Sequence, residues 1–143
     1  MSLFTSLFSS KAPEKSSGKK EVLYLVGTAK FELKIAGVEH YQAVLEALCG
    51  PRVPRRVNIF EAASLILEAN NPHDKNAVRV EMRRKQVGCL SPEAANLLRQ
   101  QLKAKGIPKG VGHCSAVIRG GWVSSDGRNG PYEVWLDAPT LCQ

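Results

Sequence analysis

The densest group of chemically capable side chains lies in "NNPHDKNAVRV", Asn70 to Val80, where His73, Asp74, Lys75 and Asn76 follow a proline without interruption. An ionised carboxylate only accepts hydrogen bonds, a neutral imidazole both donates and accepts, an ammonium offers three donors, and a carboxamide serves either way. Such an array fits two roles. In one it is the rim of a binding pocket. In the other it is an Asx-type turn, with Asp74 and Asn76 bonding nearby backbone N–H groups to fix the start of a strand. The same carboxylate can order the loop and face a ligand, so both readings stay open; for Asn76 the loop-fixing role is favoured.

Further candidates stand elsewhere. His40 and Tyr41 precede an amphipathic run, and Tyr41 falls on its apolar face, which makes packing its default role with the hydroxyl left for a pocket. Trp122 follows Gly120-Gly121 and reads as a stacking platform or as the cap of a barrel end. Trp135, inside an alternating strand, is expected in the core. Arg83-Arg84-Lys85 is expected to be a solvated turn.

Catalysis finds little footing. No nucleophile and base stand at a recognisable spacing, and neither a Walker loop nor an H-E-x-x-H is present. Asp74 has no carboxylate partner in sequence of the kind a metal-dependent nuclease needs. His73 and Asp74 with His40 could form a metal or acid–base group, but adjacent residues usually point apart. The expectation is a binding protein with no catalytic residue, no metal site and no cofactor.

The elements that must hold these residues follow from periodicity. With 143 residues and 43% hydrophobic content, the chain suffices for one core. No apolar run approaches the roughly 18 residues of a membrane span, and the N-terminus lacks the pattern of a secretory signal. Cys49, Cys89, Cys114 and Cys142 form no C-x-x-C pair, which points to reduced, mostly buried thiols in a cytoplasmic protein. The net charge is +7, of which residues 1–20 hold +3 through Lys11, Lys15, Lys19 and Lys20 against Glu14; a basic excess favours a polyanion partner.

Residues 1–20 read as a disordered basic tail and 21–140 as the folded domain. The tail repeats Ser-Leu-Phe at Ser2–Phe4 and Ser6–Phe8. This resembles sliding-clamp docking segments without their leading glutamine, and makes the tail a candidate docking site for a protein partner. "EVLYLVG" and "KFELKIAG" read as strands, and "EHYQAVLEALCGP" as a helix ended by Gly50-Pro51. "IFEAASLILEA" is ambiguous and is assigned as a strand. "NAVRVEM" and "QVGCL" form a hairpin about Arg83-Arg84-Lys85. Ser91-Pro92 opens a second helix, with the serine as N-cap. "HCSAVIRGGW" and "PYEVWLDA" are strands joined by "SSDGRNG". The pattern gives a small, strongly curved, mainly β sheet or barrel of α+β class.

Three segments, "FELKIAGVEHYQAVLEAL", "LEANNPHDKNAVRVEMRRKQVGCLSPEAANLL" and "AVIRGGW", together resemble a HIRAN domain across roughly residues 22–138. The resemblance is to the stand-alone bacterial type, and to the domain at the N-terminus of eukaryotic fork-remodelling helicases, where it captures the 3′-hydroxyl end of single-stranded DNA. It implies a small OB/SH3-like β-barrel of about six strands with two helices. It further implies a nucleic-acid site at His40, Tyr41, His73, Asp74, Lys75, Asn76 and Trp122, with Asp74 accepting from the terminal hydroxyl, the rings stacking on the base, and Lys75 with an Arg79/Arg119 neighbourhood meeting phosphates. Two features depart from the helicase-type pattern: Glu39 replaces an arginine, and His40 and His73 replace tyrosines, which makes stacking pH-sensitive. The runner-up function is a protein-interaction adaptor on an SH3-like barrel, and RNA is a third candidate ligand.

Overall fold

The computed structural model describes residues 21–68 and 76–142. Within them the strands are β1 Val22–Tyr24, β2 Leu33–Lys34, β3 Val57–Leu67, β4 Val78–Met82, β5 Lys85–Cys89, β6 Val111–Gly120 and β7 Tyr132–Asp137. The helices are α1 Gln42–Cys49 and α2 Pro92–Ala104, with 3-10 turns at Val38–His40 and Pro139–Leu141. The strands form one curled sheet in the order β2-β7-β6-β3-β4-β5, and β1 pairs in parallel with the start of β6. The architecture is the expected small, mainly β, OB-like fold with two helices.

The ambiguous "IFEAASLILEA" is a strand because both of its edges are needed. On one side β3 pairs with β6 from Val57 opposite Gly120 to Leu65 opposite Gly112. On the other, Ser64–Leu67 pair with Val78–Glu81 of β4. Ala63 and Leu65 enter the core while Phe60 and Ala62 face outward, the period of two that a strand imposes.

The β4–β5 hairpin buries Val78, Val80 and Met82 on one face, as the alternation predicts. Its turn is tighter than expected. Lys85 already pairs with Met82 inside β5, leaving Arg83-Arg84 as a two-residue turn with φ of +49° and +67°. Two-residue hairpin loops adopt positive φ at both positions because that twist matches the flanking strands. Here arginines occupy a conformation that asparagine and glycine hold at less strain.

A narrow bridge joins the two ends of the sheet. Just beyond β2, the Ala36 N–H donates to Cys89 O at 2.8 Å and the Cys89 N–H donates to Ala36 O at 2.9 Å, which closes the curl into a barrel. Gly88 is required at this point, since a Cβ there would stand 2.5 Å from Ala36 O and 2.8 Å from Ile35 Cδ1. The residues of "VGCL" divide the work of closure among them. Val87 and Leu90 fill the core, Gly88 permits the approach and Cys89 makes the bridge.

Helix α2 begins as its sequence predicts, with Ser91 Oγ accepting from the Ala94 N–H at 3.2 Å and Pro92 in the first turn. Its Leu98 and Leu102 are fully buried, each stabilising the fold by about 1.5–3 kcal/mol. The cysteines depart from expectation: Cys114 is buried, Cys49 and Cys89 are half-buried, and Cys142 is exposed beyond the last 3-10 turn. Among the described residues no helix is long and apolar enough to cross a membrane.

Candidate functional site

His73, Asp74 and Lys75 lie outside the described residues; Asn76, His40, Tyr41 and Trp122 lie within them. Gly37, with φ of +76°, turns the chain out of the closing bridge into the 3-10 turn Val38–His40. There the imidazole of His40 is exposed, 3.8 Å from the Glu39 carboxylate. Tyr41 is half-buried and serves as N-cap of α1 through its backbone. An eight-residue helix is too short to persist alone. Leu45 anchors it in the core. Gln42 anchors it to β7, accepting from the Tyr132 N–H at 2.8 Å and donating to Tyr132 O at 3.1 Å. That carboxamide acts as a side-chain substitute for a neighbouring strand.

On the other side of β5, Leu90 N–H donates to Val78 O at 2.9 Å. Asn76 stands two residues before Val78, so the His40–Tyr41 turn and the Asn76 turn both attach to Cys89–Leu90. Arg99 of α2 ties the Asn76 turn down, donating to Asn76 O at 3.2 Å and Ala77 O at 3.3 Å. Asn76, Pro92, Asn96 and Arg99 line a cleft of about 270 Å³. Arg99 is not among the residues the sequence singles out, although its place on the exposed side of an amphipathic helix marks it as able to reach a neighbouring loop.

Trp122 lies towards the start of β7. Its backbone pairs with Val53 and accepts from the Gly130 N–H at 2.9 Å, and its half-buried indole covers Gly130. Arg52 reinforces this region by donating to Gly130 O at 2.7 Å and to Glu46 at 3.0 Å, with its guanidinium 4.6 Å from the Tyr132 ring centre. The Tyr132 hydroxyl is buried with no hydrogen-bond partner among the described residues. That burial pushes its pKa up, with the charges of Cys49, Arg52 and Glu46 as lesser influences.

Two expectations are corrected. Trp135 is half-buried on the outer face, because Tyr132, Val134 and Leu136 claim the inward positions of β7. Its indole N–H donates to Glu133 at 3.1 Å. Arg79 and Arg119 do not form one neighbourhood, since Arg79 of β4 pairs with Ile66 near one end of β3 while Arg119 of β6 pairs with Asn58 near the other. The Arg79 guanidinium is held at 2.6 Å by Glu81 and 3.9 Å by Glu68, which offsets its charge towards a phosphate. Among the described residues no three His, Cys, Asp or Glu side chains converge as metal ligands would.

The HIRAN domain family model matches residues 29–116, more than half of the chain, a span that takes in the His40–Tyr41 turn, the His73-Asp74 motif and the closing "VGCL". The chain belongs to the HIRAN domain family. HIRAN domains are known as nucleic-acid-binding modules. Among solved structures, the chain is similar to the crystal structure of the HIRAN domain of human HLTF, with 21% identity, 76% of each chain covered and a TM-score of 0.35. No curated protein matches it.

Proposed function

We propose that this HIRAN domain is a non-catalytic module that holds the 3′-hydroxyl end of single-stranded DNA during repair or replication in the cytoplasm. The observation that carries the reading is the family match across residues 29–116, which contains the whole "NNPHDKNAV" motif. Asp74 accepts from the terminal hydroxyl; a terminal phosphate, anionic and without a matching donor, is repelled. His73, Tyr41 and His40 offer ring faces to the base, Trp122 supplies a further platform, and Lys75 meets a phosphate. Asn76 orders the loop. The basic tail offers a second contact to a protein partner.

The test is fluorescence anisotropy with short strands ending in 3′-hydroxyl or 3′-phosphate, for wild type and Asp74→Ala, at two salt concentrations. The expected result is a hydroxyl preference that survives salt in the wild type and is lost in the variant. Equal loss on both termini refutes the assignment of Asp74. A second reading, a protein-interaction adaptor, draws on Glu39, whose exposed carboxylate beside His40 suits a cationic peptide better than a phosphate. It predicts no difference between the two termini.

A further inference from the structure

The outer surface of the sheet carries a small apolar cluster separate from the core. Lys34, Trp135, Val117 and Phe60 stand opposite one another on β2, β7, β6 and β3, forming one row across four adjacent strands. Val117 is only 1% exposed, although it is not part of the core cluster. Phe60 is 66% exposed, and the ring of Phe31 packs on it at 5.4 Å between centres. Beside them, Lys34 Nζ lies 5.8 Å and the Arg119 guanidinium 5.6 Å from the Trp135 ring centre.

The position of Phe31 is built. Its φ is +49° and that of Ala29 is +66°, a region that side-chain-bearing residues rarely enter and that a bulky residue occupies only under constraint. The constraint is Asp137 at the end of β7, whose carboxylate accepts from the Thr28 N–H at 3.0 Å and the Ala29 N–H at 2.7 Å. Gly27 lies so close beneath it that a Cβ would fall 2.0 Å from Asp137 Cγ. The clasped loop brings the half-buried Phe31 onto Phe60, whose ring stays open to solvent.

The charge around the row is complementary to a polyanion. Lys34 and Arg119 flank Trp135, and Arg56 acts electrostatically on Glu133. Glu133, the carboxylate nearest the tryptophan, is engaged by Lys34 at 3.4 Å and by the indole N–H. Phe60 and Trp135 are two strand intervals apart, about 10 Å. Lys34 precedes Ala36 by two residues, so β2 leads from the row into the His40–Tyr41 turn.

We propose that this row is a second contact for single-stranded DNA, with a base stacked on Phe60 against Phe31 and the backbone phosphates held chiefly by Arg119, beside the Lys34–Glu133 pair. It rests on the reading above for the kind of ligand and uses none of the residues assigned to the end site. The strand would be gripped at its terminus and again along its length, by an aromatic face and flanking cations that need no particular base.

The experiment uses the full chain and anisotropy with two probes: a single strand of about a dozen nucleotides ending in 3′-phosphate, which cannot use the end site, and a 3′-hydroxyl dinucleotide. Phe60→Ala is expected to weaken the blocked strand about tenfold and to leave the dinucleotide unchanged, while Phe60→Tyr restores binding. Thermal unfolding checks that both variants fold. Blocked-strand binding that ignores Phe60→Ala overturns this inference, and a retained hydroxyl preference then leaves the end site standing. Loss of hydroxyl preference with Phe60 dependence intact does the reverse. Failure to bind either probe overturns both. A dimer in sedimentation that Phe60→Ala dissolves, with DNA affinity unchanged, assigns the face to a second copy of the chain and overturns the inference.

Discussion

Replacing Gly88 by alanine adds one methyl group where the barrel closes. The new Cβ would stand 2.5 Å from Ala36 O, whereas ordinary contact begins at 3.4 Å, so the carbonyl must retreat by roughly 0.9 Å. That carbonyl accepts from Cys89 at 2.9 Å, and a retreat of this size carries the bond beyond its working range. Ile35 Cδ1, at 2.8 Å and inside the core, must also move. The two bridge bonds are worth about 0.5–1.5 kcal/mol each, and crowding a packed core costs about 1–3 kcal/mol. The expected loss is therefore about 2–6 kcal/mol, a large share of the roughly 5–15 kcal/mol that holds a domain together. Urea unfolding followed by tryptophan fluorescence reads it as a lower midpoint at unchanged slope. Lys85→Ala, exposed on the same strand, is the control and should stay within about 0.5 kcal/mol. A loss below about 1 kcal/mol for Gly88→Ala would refute the claim that the bridge closes the barrel under steric constraint.

Asp137→Asn keeps the shape of the side chain but sets a donor against one of the two loop N–H groups; thermal unfolding should show a loss of about 2–3 kcal/mol. Arg83→Asn with Arg84→Gly should raise stability by about 1–2 kcal/mol in urea, because relief of two left-handed residues exceeds the half-exposed Arg83–Glu61 pair that is given up. Burial, helped by the charge of Asp137, pushes the Cys114 thiol from 9.0 up to about 12. A folded pKa above the unfolded one contributes stability that is complete below about pH 9 and is lost as pH rises towards 12. Urea midpoints measured at pH 8 and pH 10.5 should therefore fall more in the wild type than in Cys114→Ala.

Much of the fold was legible because local chemistry and tertiary demand agree. Ser91-Pro92 caps a helix in any context, and Val78, Val80 and Met82 alternate as a half-buried strand must. The motif around His73 and Asp74 and the "VGCL" run both fall inside the family match over residues 29–116. Trp135 was misread because its size was weighed above its parity; the alternation of Tyr132, Val134 and Leu136 already assigned it outward. The closing bridge at Ala36 leaves almost no local trace, since β2 is a two-residue strand and the contact joins residues far apart in sequence. The Phe31–Phe60 pair was hidden for a similar reason. Nothing in "TAKFEL" announces two residues at positive φ; that conformation is imposed by a carboxylate more than a hundred positions downstream.

The barrel's closure has a dynamic consequence. A ring shut by two hydrogen bonds can part there without disturbing the long β3–β6 ladder, so the amides of Ala36 and Cys89 should exchange with solvent through local opening. Parting the seam also frees Gly37 and the turn after it, which carries His40 and Tyr41. A ligand held by both this turn and Asn76 ahead of β4 would bridge the seam and favour the shut ring. Seam closure and ligand capture then share one free energy, so the bound strand should slow exchange at two amides it never touches.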